Sequence, residues 1–196
     1  MKKQFYIEDS KKIINTILYL FKDCEKMEIK KIHALIFLAQ KHSLRNYNKF
    51  LFFENEFDFF SEEIYFIPLS KMFNDRDFKR DIFKNFRYCF SEFSNNWLEK
   101  KENACTFDLD EFSKNNLNSL DFVLKWFGKL SYQNIRNIIK LYPEYSENLN
   151  FKIIKIFKNP NARRTKKIKE ILGEDPFFED KKQLKEKAIY FACDYF

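Results

Sequence analysis

Apolar residues recur along this chain at mostly helical spacing, with one aromatic-rich interruption. After Asp9-Ser10, either of which offers a capping oxygen, Ile13, Ile14, Ile17, Leu18 and Phe21 form one stripe and predict a helix over Lys11–Lys22. A polar turn at Asp23–Lys26 leads into a second predicted helix, Glu28–His42. In it Ile32, Leu35, Ile36 and Ala39 form one face and Phe37 and Leu38 fill much of the other. A helix that is apolar most of the way round belongs in the middle of a domain, so this segment is the expected centre of the fold.

Two short aromatic runs follow, Phe50–Phe53 and Phe57–Phe60, separated by Glu54-Asn55-Glu56, with Ile64–Ile67 beyond them and Pro68 as a stop. Aromatics suit a half-buried pleated surface, so a small β-hairpin or three-stranded sheet is expected near residues 50–67. Phe78, Ile82, Phe86 and Phe90 then repeat every four residues, joined by Phe83, Phe93 and Trp97, and predict an amphipathic helix over about Asp75–Leu98. Past a loop at Lys100–Ala104, Asp108 or Asp110 opens a helical region carrying Leu117, Leu120, Val123, Leu124 and Phe127, with Gly128 at its C′ position. Ser131 caps a further helix with Ile135, Ile138 and Ile139 facing inward, halted before Pro143. Asn159-Pro160-Asn161 is the clearest break; a basic helix (Ala162–Leu172) ends at Gly173, and Asp180 begins a last helix. The expected class is mainly α (α+β). It comprises one compact helical domain over residues 1–150 and a basic helical extension over 151–196.

Composition removes several functions. With two glycines, Gly128 and Gly173, neither a dinucleotide-binding loop nor a phosphate-binding P-loop can be written. No apolar run reaches the ~18 residues of a spanning helix, and the first residues meet charge before a signal-type segment develops, so no membrane is expected and the cytoplasm is the expected compartment. Cys24, Cys89, Cys105 and Cys193 are widely spaced and read as reduced thiols. His33 and His42 lie nine residues apart on one helix, about 180° from each other, so they cannot share a metal. His33 beside the buried stripe reads as a structural histidine, and a pairing with Cys89 or Cys105 has no local signature. Asp108/Asp110 and Glu62/Glu63 read as helix-start charge and a solvated turn. No catalytic residue, metal or cofactor is therefore expected.

The net charge of +7 is unevenly spread: Phe151–Lys169 holds eight Lys or Arg and no acid. Lys152, Lys155, Arg163, Arg164, Lys166 and Lys167 there are candidate contacts for an anion or nucleic acid, and a solvated basic helix is the plainer alternative.

Two segments carry a resemblance. Lys31-Ile32-His33-Ala34-Leu35-Ile36-Phe37-Leu38-Ala39-Gln40 is similar to a run of Lys-Leu-(Gln or His)-Lys-Leu-Leu-Tyr-Phe-Ala-(Gln or Asp), with Ala34 replacing a Lys and Phe37 a Tyr. Leu120–Ile135, with Leu120-Asp121, Gly128 and Ser131, is similar to a closing Leu-Asp, helix, Tyr-Gly-x-x-Ser pattern. Between them Phe66-Ile67-Pro68-Leu69 stands where an aromatic-Gly-Pro-Val motif is common, and Tyr142-Pro143-Glu144-Tyr145 follows without the usual His. In this order, over roughly residues 10–146, they resemble the Panacea domain of SocA-like antitoxins. The resemblance implies a non-enzymatic, protein-binding antitoxin of a bacterial or phage toxin–antitoxin system. Its partner would be a cognate toxin, neutralised directly or by acting as an adaptor to a protease system, with nucleic acid secondary. The alternative is a nucleic-acid-binding or mobile-element anti-defence protein using the basic tail. The hairpin aromatics Phe57, Phe59, Phe60, Tyr65 and Phe66 with Pro68 exceed what a small sheet buries and are the candidate partner-binding set; packing on the central helix is their other possible fate.

Overall fold

The computed structural model describes residues 2–52, 57–60, 63–74, 88–93, 96–102 and 106–140, with the side chains of 2–9, 58–60, 71, 73–74 and 92–93 left out. Its order is α1 (Lys2–Leu20), β1 (Lys26–Glu28), α2 (Ile29–Tyr47), β2 (Phe57–Phe60), β3 (Glu63–Phe66), α3 (Ile67–Asn74), β4 (Phe90–Phe93), β5 (Trp97–Lys100), a 3-10 turn (Leu109–Glu111), α4 (Lys114–Phe127) and α5 (Tyr132–Ile139). The class is α+β, mainly helical with small antiparallel sheets, as the hydrophobic pattern predicts.

The predicted central helix is central. Every residue of α2 from Ile32 to Leu44 is buried, including Lys41, His42 and Ser43. Helix α4 is its most extensive helical partner. The hairpin and α5 also pack on it, and β1 feeds straight into its first turn. Ile13 and Ile17 of α1, Leu120 and Val123 of α4 and Ile135, Ile138 and Ile139 of α5 complete one continuous core.

Local chemistry fixes the ends. Ser113 Oγ accepts from Asn116 N–H while Asn116 Oδ1 accepts from Ser113 N–H, a reciprocal box satisfying two otherwise unpaired donors at the start of α4. Ser131 Oγ accepts from Asn134 N–H and starts α5, as predicted. Asp108 caps only the short turn before Phe112, so α4 begins later than its acidic residues suggest. Gly128 keeps right-handed helical geometry (φ −58°), not the left-handed C′ conformation expected of it; among the described residues it is Asn48, after α2, that has a positive φ (50°).

The sheets depart from expectation. The hairpin pairs Phe57–Phe60 with Glu63–Phe66, not with Phe50–Phe53, and Leu51 and Phe52 are buried in an irregular segment. Pro68 sits in the first turn of α3, where its missing N–H costs nothing, so it opens a helix and does not close a strand. The three-stranded sheet, order β1-β5-β4, uses residues 26–28, 90–93 and 97–100, so the helix predicted over 75–98 is corrected at 90–93 and 97–98. There the i+4 aromatic spacing competes with alternation in Trp97-Leu98-Glu99, where Leu98 is fully buried and Trp97 faces out. Helix α1 also starts earlier than predicted and encloses Ser10, which is buried within it and does not mark its start. The domain boundary near 150, residues 75–87 of the predicted aromatic helix and both tail helices lie outside the described residues.

Candidate functional site

The residues of the two similar segments meet in space along α2. Half-buried Lys31 sends Nζ to the Gly128 carbonyl at 2.8 Å, joining the start of α2 to the end of α4. A cation suits a helix C-terminus, where carbonyls are left without partners. Burial holds the Lys31 ammonium below its usual pKa, and burial likewise lifts the neighbouring Cys24 thiol. Asp121 closes the other flank of α4. Its Oδ1 accepts from Tyr19 Oη and from Lys22 Nζ, both at 2.7 Å, and Lys22 lies 4.6 Å from the Tyr19 ring centroid. Burial works to raise the Asp121 carboxyl, but the bonds from Lys22 and Tyr19 outweigh it and hold it below the usual range.

Both histidines are structural. His33 Nδ1 accepts the Phe66 N–H at 2.9 Å, with the Tyr65 ring edge-on at 5.7 Å. His42 Nδ1 lies 3.1 Å from Ser119 Oγ and its ring stacks on Phe122, centroids 4.0 Å apart. Burial pushes the pKa of each down to about 4, aided at His42 by Arg45, so both are neutral at pH 7. Gln40 repeats the role of His33 two turns later, its Oε1 accepting the Leu51 N–H at 2.9 Å. Each of these side chains supplies an acceptor, which is what the two backbone N–H groups require.

Of the predicted partner-binding set, the structure brings Phe57, Phe66 and Pro68 into the core: Phe57 is 2% exposed, Phe66 fully buried and Pro68 buried. As exposed anchors these three are corrected. Phe57 packs edge-on to Phe37 of α2 at 5.4 Å, and Phe66 lies against Phe52 at 5.0 Å with its N–H on His33 of α2. The side chains of Phe59 and Phe60 lie outside the described residues, as do Lys152, Lys155, Arg163, Arg164, Lys166 and Lys167. Tyr65 stays at the surface, half-buried, because strand alternation turns it and Glu63 to the face opposite Ile64 and Phe66.

That outer face carries a polar cluster. Glu63 Oε1 accepts from Lys30 Nζ and Oε2 from Tyr65 Oη, both at 2.5 Å. Burial favours the protonated acid, yet these bonds, with the charges of Lys30 and Arg136, keep Glu63 ionised and below its usual pKa. Tyr132, on α5, feels the same carboxylate; burial first and Glu63 second push its hydroxyl up to about 12. The sequence signal for this cluster was the alternation Glu63-Ile64-Tyr65-Phe66, hidden among neighbouring aromatics.

Among the described residues no group of three or more His, Cys, Asp or Glu side chains is placed to hold a metal ion. No described helix is long and apolar enough to cross a membrane. Compared with family models, curated proteins and solved structures, the chain has no match.

Proposed function

We propose that this chain is a non-enzymatic, antitoxin-like protein-binding module that neutralises a cognate toxin, by direct binding or as an adaptor to a protease. The observation that carries the reading is the joining of the two Panacea-like segments: Lys31 of the first segment bonds to Gly128 of the second, and α2 packs along α4. His33, Gln40 and Asp121, all positions of those segments, each serve the framework. The histidines are committed to buried hydrogen bonds in their neutral form, which favours a scaffold over a general base. The partner surface in this reading is the outer face of the hairpin with α5: Tyr65, Glu63, Lys30, Tyr132 and Arg136. Tyrosine and arginine are the side chains most often found as interface anchors, and the ionised Glu63 beside them gives orientation.

Co-expression with the product of the adjacent gene, followed by pull-down, tests this. Tyr65→Ala and Tyr132→Ala are expected to lose the protein partner, and a tail variant lacking Arg163, Arg164, Lys166 and Lys167 to keep it. The eight cations of Phe151–Lys169 favour a second reading, nucleic-acid or anti-defence binding through the tail. If only the tail variant loses its partner and that partner is nucleic acid, the antitoxin reading is replaced by this one.

A further inference from the structure

The hairpin β2–β3 is held to α2 at a point that depends on one proton. In antiparallel pairing Phe66 is opposite Phe57, and the Phe66 N–H goes to His33 Nδ1 at 2.9 Å. His33 is 2% exposed and Phe66 fully buried, so solvent offers no substitute acceptor while the hairpin is closed. An imidazole that gains a proton has donors at both nitrogens and nothing left to accept with. The Phe66 N–H and the new Nδ1–H would then face each other inside the core.

We propose that His33 is a proton-sensitive latch: its neutral ring holds the hairpin closed over α2, and its protonation releases the hairpin, bringing Phe57 and Phe66 to solvent. The titratable and charged groups around this end of α2 give the imidazolium no relief. On β3, Glu63 is engaged by Lys30 and Tyr65. On α5, Tyr132 is uncharged at acid pH and Arg136 is a cation. At the start of α2 itself stand the cations Lys30 and Lys31, the latter on the Gly128 carbonyl of α4, and Glu28 precedes them. Burial alone accounts for the reluctance of His33 to accept a proton. Gln40, on the same face of α2, makes the corresponding bond to Leu51 N–H with a group that does not titrate, and the other buried imidazole, His42, faces Ser119 and Phe122 of α4, not the hairpin.

The size of the response follows from proton linkage. With about 4 for the closed state and the ordinary 6.5 for the open one, the opening equilibrium rises about 30-fold between pH 7.5 and pH 5.0. The test is amide hydrogen exchange on the full chain, corrected for intrinsic rates, comparing the amides of Ile64–Phe66 with those of Ile138 and Ile139. The wild type is expected to show about 30-fold faster exchange at the hairpin on acidification, with α5 little changed, and His33→Gln less than 3-fold. Equal acceleration everywhere, none at the hairpin, or the same acceleration in His33→Gln overturns the latch. Should His33→Gln not fold, NMR titration of the wild type decides. The His33 ring and the Phe66 amide shifting together supports the latch, and shifting separately overturns it.

Discussion

In the antitoxin-like reading proposed above Phe37 takes the place of a tyrosine, and Phe37→Tyr tests whether this core would accept one. The ring is 1% exposed and packs edge-on with Phe57 at 5.4 Å and 84°. A hydroxyl added there leaves water for a slot built around an aromatic ring, and mutational data put such a transfer without a partner at about 1–3 kcal/mol. For a chain of this length that corresponds to roughly 2–4 °C per kcal/mol, hence a fall in Tm of about 2–12 °C. Urea denaturation followed by circular dichroism, with the slope of the transition held as a check on two-state behaviour, measures it. Phe37→Leu is the control: it adds no polar atom and loses volume and an edge-to-face contact, so it too destabilises, by about 1–3 kcal/mol. The reasoning fails if Phe37→Tyr lies within about 0.5 kcal/mol of wild type while Phe37→Leu is costly. That result would mean the pocket offers a hydrogen-bond partner for a tyrosine hydroxyl.

Ala34 is fully buried, so Ala34→Lys is expected to abolish soluble expression; a folded, soluble variant would show that a lysine there reaches water. Ser131→Ala removes the cap of α5 and is expected to cost about 1 kcal/mol in urea unfolding, with Ser131→Asp restoring most of it. Asp121, held below the usual carboxylate range, contributes stability that is present above its unfolded pKa of about 3.9 and lost as pH falls through the folded value. Asp121→Asn should therefore flatten the stability profile in that acid window, and a profile identical to wild type there would remove Asp121 from the account.

Where the polypeptide hides an apolar face, the sequence reported it faithfully. The periodicities of α1, α2, α4 and α5 are those of helices with a core side, and Ser131 announced its own cap. What the pattern could not report was competition between periods. Phe86 and Phe90 satisfy a helical repeat while Trp97-Leu98-Glu99 satisfies a strand, and the choice at Phe90 goes to pairing with residues far away in the chain, Lys26–Glu28 by way of β5. The same blindness left the fate of the hairpin aromatics open. Counting aromatics at Phe57–Phe66 could not choose between exposure and packing on α2, and Phe57 and Phe66 are buried. His33 was legible as a structural histidine, but its partner, a backbone N–H 33 residues away, was not.

The passage from β1 to α2 contains no connecting residue: Glu28 ends the strand and Ile29 begins the helix. Strand register and helix phase are therefore one mechanical variable, as in a key whose bow and bit are cut from the same bar. Sliding β1 by one residue along β5 would exchange Met27 for a polar neighbour at the buried face and rotate the helix behind it by about 100°. His33 and Gln40 would then miss the two N–H groups they serve, and Lys31 would leave the Gly128 carbonyl. A strand of only three residues thus indexes the whole domain. A single-residue insertion at Glu28 should be far more damaging than the same insertion in the turn at Asp23, where slack can absorb it.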